Sequence, residues 1–363
     1  MNLAAPTSRL PGRHLNRVWL ASYPPGVPFT VDPSAYHSLV ELMDEGLIKH
    51  AARDAIDFMG KSWTYAQLDE ASWALGCYLQ SLGLHPGDRV AVFHHVPCLG
   101  CFYCDRKLYA QCETYKRVGV TAGFEPAGGG FAQYVRVMDW IVPRGVEKIP
   151  EGVSFDRASF VEPINTCHKA AEQADPQPGE TVAILGQGPI GLMFTMLAHR
   201  SGARIVATDM IGKRRELALR FGAEFAWDPR ETDVAGQVKR LTAGRGADLV
   251  IVAASAQAAV DQAMACSRPG SRILLFAQTS DTERVEVSGA AICKDERRLF
   301  GCYSASVDLQ GESARLVFSG ELPVEDLISH RVGLDDIEKG FSLALHPDAE
   351  SLKIVVQPQR WSE

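Results

Sequence analysis

Beyond residue 181 this 363-residue sequence predicts an α/β fold built on a doubly wound parallel sheet. Three observations predict it. Short β-branched runs alternate with helical patterns; one strand runs directly into Gly186-Gln187-Gly188-Pro189-Ile190-Gly191; and an acid, Asp209, closes the strand after that. Alternation of this kind lays strands parallel, with crossover helices on both faces. A composition of 46% hydrophobic and 22% charged residues is that of a globular chain, long enough for two domains with separate cores. The net charge of −7 argues against a nucleic-acid or anionic-membrane binder. No apolar run approaches the roughly 18–20 residues of a membrane span; the longest, Leu249–Val260, suits a buried strand and the turn after it.

The elements follow in order. Residues 1–36 are rich in Pro, Gly and Ser, and Tyr23-Pro24-Pro25-Gly26-Val27-Pro28 excludes regular structure. Arg9, Arg13 and Arg17 without an acid are what a transit peptide would also show, but the prolines oppose an amphipathic helix and no secretion signal is visible. A cytoplasmic protein is the expectation. Leu39, Leu42, Met43, Leu47 and Ile48 recur at helical spacing, and a second helix begins near Thr64 with Leu68, Ala71, Leu75, Tyr78, Leu79 and Leu82 on one face. His85-Pro86-Gly87-Asp88 ends it, and 89–94 reads as a strand. After a cysteine-rich loop, 131–137 and 140–142 read as short strands and 156–173 as a helix. The alternating region gives strands at 181–185, 204–208, 249–252, 272–276 and 299–303, with helices at 189–201, 213–221 and 257–266. There is no internal repeat.

Each glycine of the strand–turn–helix segment has a task. Gly186 permits the tight turn, Gly188 lets a pyrophosphate approach the backbone, and Gly191 lets helix and strand pack closely. Pro189 and Ile190 open the helix, whose unpaired N–H groups and positive dipole end face the phosphates. Asp209 can accept two hydrogen bonds from an adenosine ribose and would repel a 2′-phosphate, so NAD is expected over NADP. Lys213, Arg214 and Arg215 lie close by and weaken that preference; Arg214 reads either as a ribose contact or as a solvated helix-face charge. The competing reading of the whole segment is a glycine-rich turn with an incidental acid.

Four of the nine cysteines crowd into one short stretch: Cys98, Cys101, Cys104 and Cys112, spaced C-x2-C-x2-C-x7-C. Such spacing lets four thiolates close a tetrahedral zinc shell and leaves no open position, so this zinc should be structural. Chelation would then order a loop of few apolar residues. An iron–sulfur cluster and accidental clustering are the alternatives. Cys77, Cys167, Cys266, Cys293 and Cys302 are scattered and read as buried structural thiols. His94 and His95 beside the lobe read as ordinary strand or surface histidines.

A four-cysteine lobe ahead of a glycine-turn strand resembles the zinc-containing medium-chain dehydrogenases, in particular their alcohol, polyol and threonine dehydrogenase branch. The resemblance runs over residues 87–363 through His94-His95-Val96-Pro97-Cys98, Gly129-Gly130-Phe131-Ala132-Gln133-Tyr134, Phe160-Val161-Glu162-Pro163, the dinucleotide segment and His330-Arg331. It implies a GroES-like catalytic domain interrupted by a Rossmann domain, a small alcohol or polyol substrate, and a homodimer or homotetramer. It also implies a second, catalytic zinc that binds the substrate oxygen and lowers the alcohol's pKa before hydride leaves for the nicotinamide. Glu162 matches a glutamate that often ligates that zinc, or it is only a helix-start acid. The family's Gly-x-Cys-Gly and Gly-His-Glu segments have no counterpart upstream of Cys98, and His14, His37, His50, His85 and Cys77 lack the surrounding pattern.

Residues 1–86 resemble something else, the N-terminus of acyl-CoA ligases of the adenylate-forming family. Asn16-Arg17-Val18-Trp19-Leu20, Ser22-Tyr23-Pro24-Pro25-Gly26-Val27-Pro28, Trp63-Thr64-Tyr65-Ala66-Gln67-Leu68 and Leu82-Gly83-Leu84 carry that likeness. The phosphate-holding loop of a ligase is absent, so adenylation is not expected. Gly87-Asp88-Arg89-Val90-Ala91-Val92 suits both families. The expectation is therefore a chimera joined at 87–92, divided as 1–86, a partial GroES-like domain 87–162, a Rossmann domain 163–303 and a return segment 304–363. Its GroES-like part would be incomplete, leaving strands near 131–142 unpaired, and its leader would be an α-rich fragment without a core of its own.

Overall fold

The structure, a computed structural model, describes residues 35–358 except 59, 95, 120–129, 134, 136, 139, 278–281 and 283. The chain divides into two compact units, Met1–His85 and Pro86–Glu363. No helix among the described residues is long and apolar enough to cross a membrane.

The first unit holds α1 (Leu39–Lys49), a hairpin of β1 (Asp54–Phe58) and β2 (Lys61–Thr64), and α2 (Tyr65–Ser81). Ser38 caps α1 by accepting from the Glu41 N–H. Thr64 and Gln67 close a reciprocal capping box on α2. Both helices sit where periodicity places them. The hairpin between them was not legible, because Asp54–Phe58 carries too few β-branched residues. Among the described residues 35–85 no side chain is buried, and Ile48 (80% exposed) and Trp73 (71%) stand open.

The second unit begins with β3 (Val90–Val92), antiparallel to β4 (Val146–Lys148); between them lie the cysteine lobe, α3 (Glu113–Gly119) and the single turn α4 (Val142–Gly145). Then come α5 (Phe155–Ala158), α6 (Val161–Ala174), β5 (Thr181–Leu185), α7 (Pro189–Arg200), β6 (Arg204–Thr208), α8 (Gly212–Arg220), β7 (Phe225–Trp227) and α9 (Val234–Leu241). The chain continues through β8 (Ala247–Val252), α10 (Gln257–Cys266), β9 (Ser267–Leu275), α11 (Gly289–Cys293), β10 (Arg298–Gly301), α12 (Gln310–Phe318), β11 (Ile328–Gly333), α13 (Ile337–Leu345) and β12 (Lys353–Gln357).

Six of these strands form one all-parallel sheet in the order β10-β9-β8-β5-β6-β7. Every residue of β5 is buried, as a strand covered on both faces must be. One core, around Phe160, Ile164, Ile184, Leu192, Phe194 and Leu316, packs α6, α7 and α12 on one face. The other, around Val206, Val238, Val250, Val260 and Ile273, packs α9 and α10 opposite. The doubly wound α/β expectation is met. The winding reverses between β5 and β8, which opens a crevice at their carboxyl ends, where such sheets bind ligands.

Three expectations need correction. Residues 140–142 form no strand: Ile141 N donates to the Met138 carbonyl (2.9 Å) and Gly145 N to the Ile141 carbonyl (2.7 Å), which winds the chain into α4 with Pro143 in its first turn. None of the described residues in 131–137 is a strand either; 134 and 136 lie outside the described residues. The helix expected over 156–173 is broken at Ser159–Phe160. Pro163 has no N–H to donate to Ser159, so the helix restarts as α6 with its proline in the first turn, where no N–H is needed.

Candidate active site

The cysteine lobe is built by tight turns. Asp105 N bonds the Cys101 carbonyl (3.0 Å) and Lys107 N the Cys104 carbonyl (2.9 Å), folding the chain back on itself. The four thiol sulfurs of Cys98, Cys101, Cys104 and Cys112 lie within 4.8 Å of one another; Cys98–Cys104 is 3.9 Å and Cys101–Cys104 3.5 Å. Zinc–sulfur bonds of about 2.3 Å in a tetrahedron set sulfurs at about this spacing, so the donor set fits a zinc ion. Burial pushes the Cys104 thiol up to about 12. Burial acts the same way on Cys112, but N–H groups of Cys98 and Tyr115 outweigh it and bring that thiol down to about 6. Tyr109 donates to the Asp308 carboxylate (3.0 Å) and Tyr115 meets Ser304 (2.7 Å), docking the lobe onto the segment after β10.

The glycine turn lies at the switch point. Gly186 takes φ +94°, and a Cβ there would stand 3.2 Å from the Ala253 carbonyl at the end of β8. A Cβ on Gly191 would meet the Gly186 carbonyl at 1.9 Å, so α7 can start this close to β5 only with glycine. A Cβ on Gly188 would meet nothing within 4 Å, which leaves the backbone there open to a ligand. Asp209 follows β6 and accepts from Gln187 N (2.7 Å) and Ile211 N (2.8 Å), tying the glycine turn to the next βα turn. Arg214 turns toward the chain's far end, donating to the Ser351 carbonyl (2.9 Å), and Lys213 pairs with Glu350. Arg215 bridges the Asp209 carbonyl (2.8 Å) and Asp228 (3.2 Å).

Glu162 sits in the first turn of α6 and opens on a cleft of ≈ 580 Å³ that also contains Pro189, Ile190, Ala253 and Tyr303. The carboxyl thus shares one space with the start of the dinucleotide helix. Burial raises it above the usual carboxylate range, against the pull of the Thr166 hydroxyl (3.2 Å) and the Lys353 charge. Sequence reasoning missed Thr166, Lys353, Tyr303 and Cys302 as cleft residues. Thr166 was findable, one helical turn after Glu162. Lys353 was not, since only the closure of β12 beside β11 brings it there.

The other expected residues fall elsewhere. His94 is exposed; His95 and His14 lie outside the described residues; His37, His50, His85 and Cys77 belong to the first unit. Among the described residues the four-cysteine lobe is the only cluster of three or more groups able to hold a metal. Cys167 and Cys266 are buried and Cys302 partly so, but Cys77 and Cys293 are exposed, contrary to the expectation of buried thiols. Cys77 lies on α2, which buries nothing, and Cys293 ends a helix of five residues.

A glycine turn at the switch point of a doubly wound sheet, together with a closed four-thiolate lobe, defines a dinucleotide-dependent oxidoreductase of the zinc-carrying kind. Residues 189–318 match the zinc-binding dehydrogenase family and residues 78–150 the alcohol dehydrogenase GroES-like domain. The chain is 29% identical to sorbitol dehydrogenase of Bacillus subtilis (strain 168) over 276 residues, covering 76% of this chain and 75% of that one. Alcohol dehydrogenase TADH from Thermus sp. ATN1 is 28% identical with TM-score 0.67, over 76% of this chain and 79% of that one. An alcohol dehydrogenase from E. coli CFT073, complexed with cofactor NADH, is 25% identical with TM-score 0.65, over 75% and 77%. The chain belongs to the zinc-binding medium-chain dehydrogenase family, zinc-dependent oxidoreductases that act on alcohols with NAD(P).

Proposed function

We propose that this chain is an NAD-binding member of that family that holds its structural zinc and has lost the grip on its catalytic one. The observation that carries this reading is the cleft itself. It sets Glu162 beside the start of α7, with Thr166, Lys353 and the Cys302 thiol around it, and among the described residues no cluster of three or more metal-holding groups besides the four-cysteine lobe. When bound, a catalytic zinc supplies Lewis-acid activation of the alcohol oxygen; one carboxylate and one thiol in a cleft shared with a lysine are a poor holder for it. The chain's own residues still serve the dinucleotide. Backbone at Gly188 and the α7 N-terminus receive the pyrophosphate, and Asp209 receives the adenosine ribose. Arg214 is bonded to Ser351, and Arg215 stands at the Asp209 main-chain carbonyl while paired with Asp228.

The substrate class in this reading is a small alcohol or polyol, oxidised by hydride transfer to NAD where turnover survives. The leader 1–86 comes from an acyl-CoA-ligase-like sequence, so the polypeptide is a chimera; one sequencing read across codons 80–95 of source DNA tests that. A cytoplasmic homo-oligomer is part of the same proposal. Cofactor preference is tested by titrating the protein with NADH and NADPH. Tighter binding of NADH is expected, and tighter binding of NADPH would remove the role given to Asp209.

A further inference from the structure

Helix α2 of the first unit turns an apolar stripe to solvent. Ala71, Ala74, Leu75, Tyr78 and Leu82 recur at three- and four-residue spacing, so they line one face. α1 packs on the same helix, yet Leu75 stays 57% exposed and Leu82 38%. The two ends of the stripe differ in size. At its start the small Ala71 and Ala74 line a groove of ≈ 450 Å³ walled by Trp63 of β2. Ile56 stands directly opposite Trp63 in the hairpin and lengthens that wall; both are nearly half exposed. The bulky Leu75, Tyr78 and Leu82 occupy the far end. Charge is lopsided in the same sense: Asp69 and Glu70 lie at the groove end, and α2 has no lysine or arginine.

We propose that this stripe is an interface between two copies of the chain, which pair their α2 helices antiparallel about a two-fold axis near Leu75. A reversed copy sets its Leu82 over Ala71 and its Tyr78 over Ala74, so each bulky end fills the other's groove. Leu75 meets its own counterpart on the axis. Such a contact uses the same patch on both copies, as two-fold symmetry requires. A parallel pair would leave both grooves empty and set Glu70 against Glu70, a like-charge contact that costs binding. The area suffices. Ile56, Trp63, Leu75 and Leu82 each offer about half of a side chain of roughly 150–250 Å². With Ala71, Ala74 and the groove rim at Gln67 and Glu70, two copies bury on the order of 1,000 Å², where specific interfaces begin. The interface lies in the first unit and does not depend on the dehydrogenase reading.

The test uses the purified full chain in sedimentation velocity at micromolar concentration, with NADH titrated on the same samples. Ala74→Arg, which puts a charge in the groove at an exposed position, should halve the sedimenting mass and leave NADH binding unchanged. Trp73→Glu, on another face of α2, should leave the mass as it is. Direction is read by disulfide cross-linking with oxidised glutathione in chains that also carry Cys77→Ser. Ala71→Cys mixed with Leu82→Cys should give a cross-linked mixed dimer, and Ala71→Cys alone should give none. A mass that Ala74→Arg does not lower, or cross-linking of Ala71→Cys to itself in place of the mixed pair, would overturn the proposal. A chain already monomeric without substitution would overturn it too, and hand the stripe to a partner of different sequence.

Discussion

At Gly191 a methyl group has nowhere to go, since its position lies 1.9 Å from the Gly186 carbonyl. Gly191→Ala should therefore push α7 off β5. We expect a loss of about 1–3 kcal/mol in urea unfolding, the scale of an overpacked core, together with weakened NADH binding. His168 makes a prediction of the other kind. Burial holds its imidazole below the ordinary 6.5, with Glu312 and Glu172 opposing and Arg200 and Arg315 reinforcing, and its Nδ1 meets Ser313 Oγ at 3.1 Å. Above pH 6.5 folded and unfolded chains both carry it neutral. Below that value the unfolded chain takes up the proton first, so stability falls as pH drops. A pH series of urea melts should show this loss, and His168→Gln should flatten it. Both residues show what one sequence can disclose. Gly191 was legible because a strand–glycine–helix pattern is local; His168 was not, because its surroundings come from α6, α7 and α12 together.

Among elements, the cysteine lobe leaves Leu99, Phe102 and Leu108 exposed and docks through Cys104, Cys112, Tyr109 and Tyr115 on a small core with Phe93, Ile141 and Ala305. Zinc chelation supplies the order that burial alone does not. Stripping zinc with a strong chelator should expose the Arg106–Lys107 turn to trypsin, while near-unchanged far-UV circular dichroism reports an intact parallel sheet. If zinc-free protein resists trypsin equally, the lobe does not depend on metal. Elements were legible in proportion to their burial and length. β5, β6 and β8 announce themselves as apolar β-branched runs covered on both faces, whereas β7 has three half-buried residues and α12 begins Gln310-Gly311-Glu312, with no start signal that stands out. The β11–β12 pair was invisible for another reason: parallel partners so separated in sequence leave no turn signature between them.

At the scale of the molecule, the two units differ in kind. The second buries two cores on either side of a six-stranded sheet. The first, in its described residues, keeps well-capped helices but buries nothing. Helical periodicity was readable there because it is local, while the expectation of a leader without a core came from the likeness to a ligase N-terminus and not from the helix pattern. The account turns on how many metal ions this whole chain retains beside its nicotinamide cleft. Zinc should be measured by atomic emission on the purified full chain, with NADH formation followed in the presence of NAD and 2-butanol. One zinc per chain, bound by the four cysteines, with no alcohol-dependent NADH is the predicted result. Two zincs per chain with steady NADH formation would contradict it.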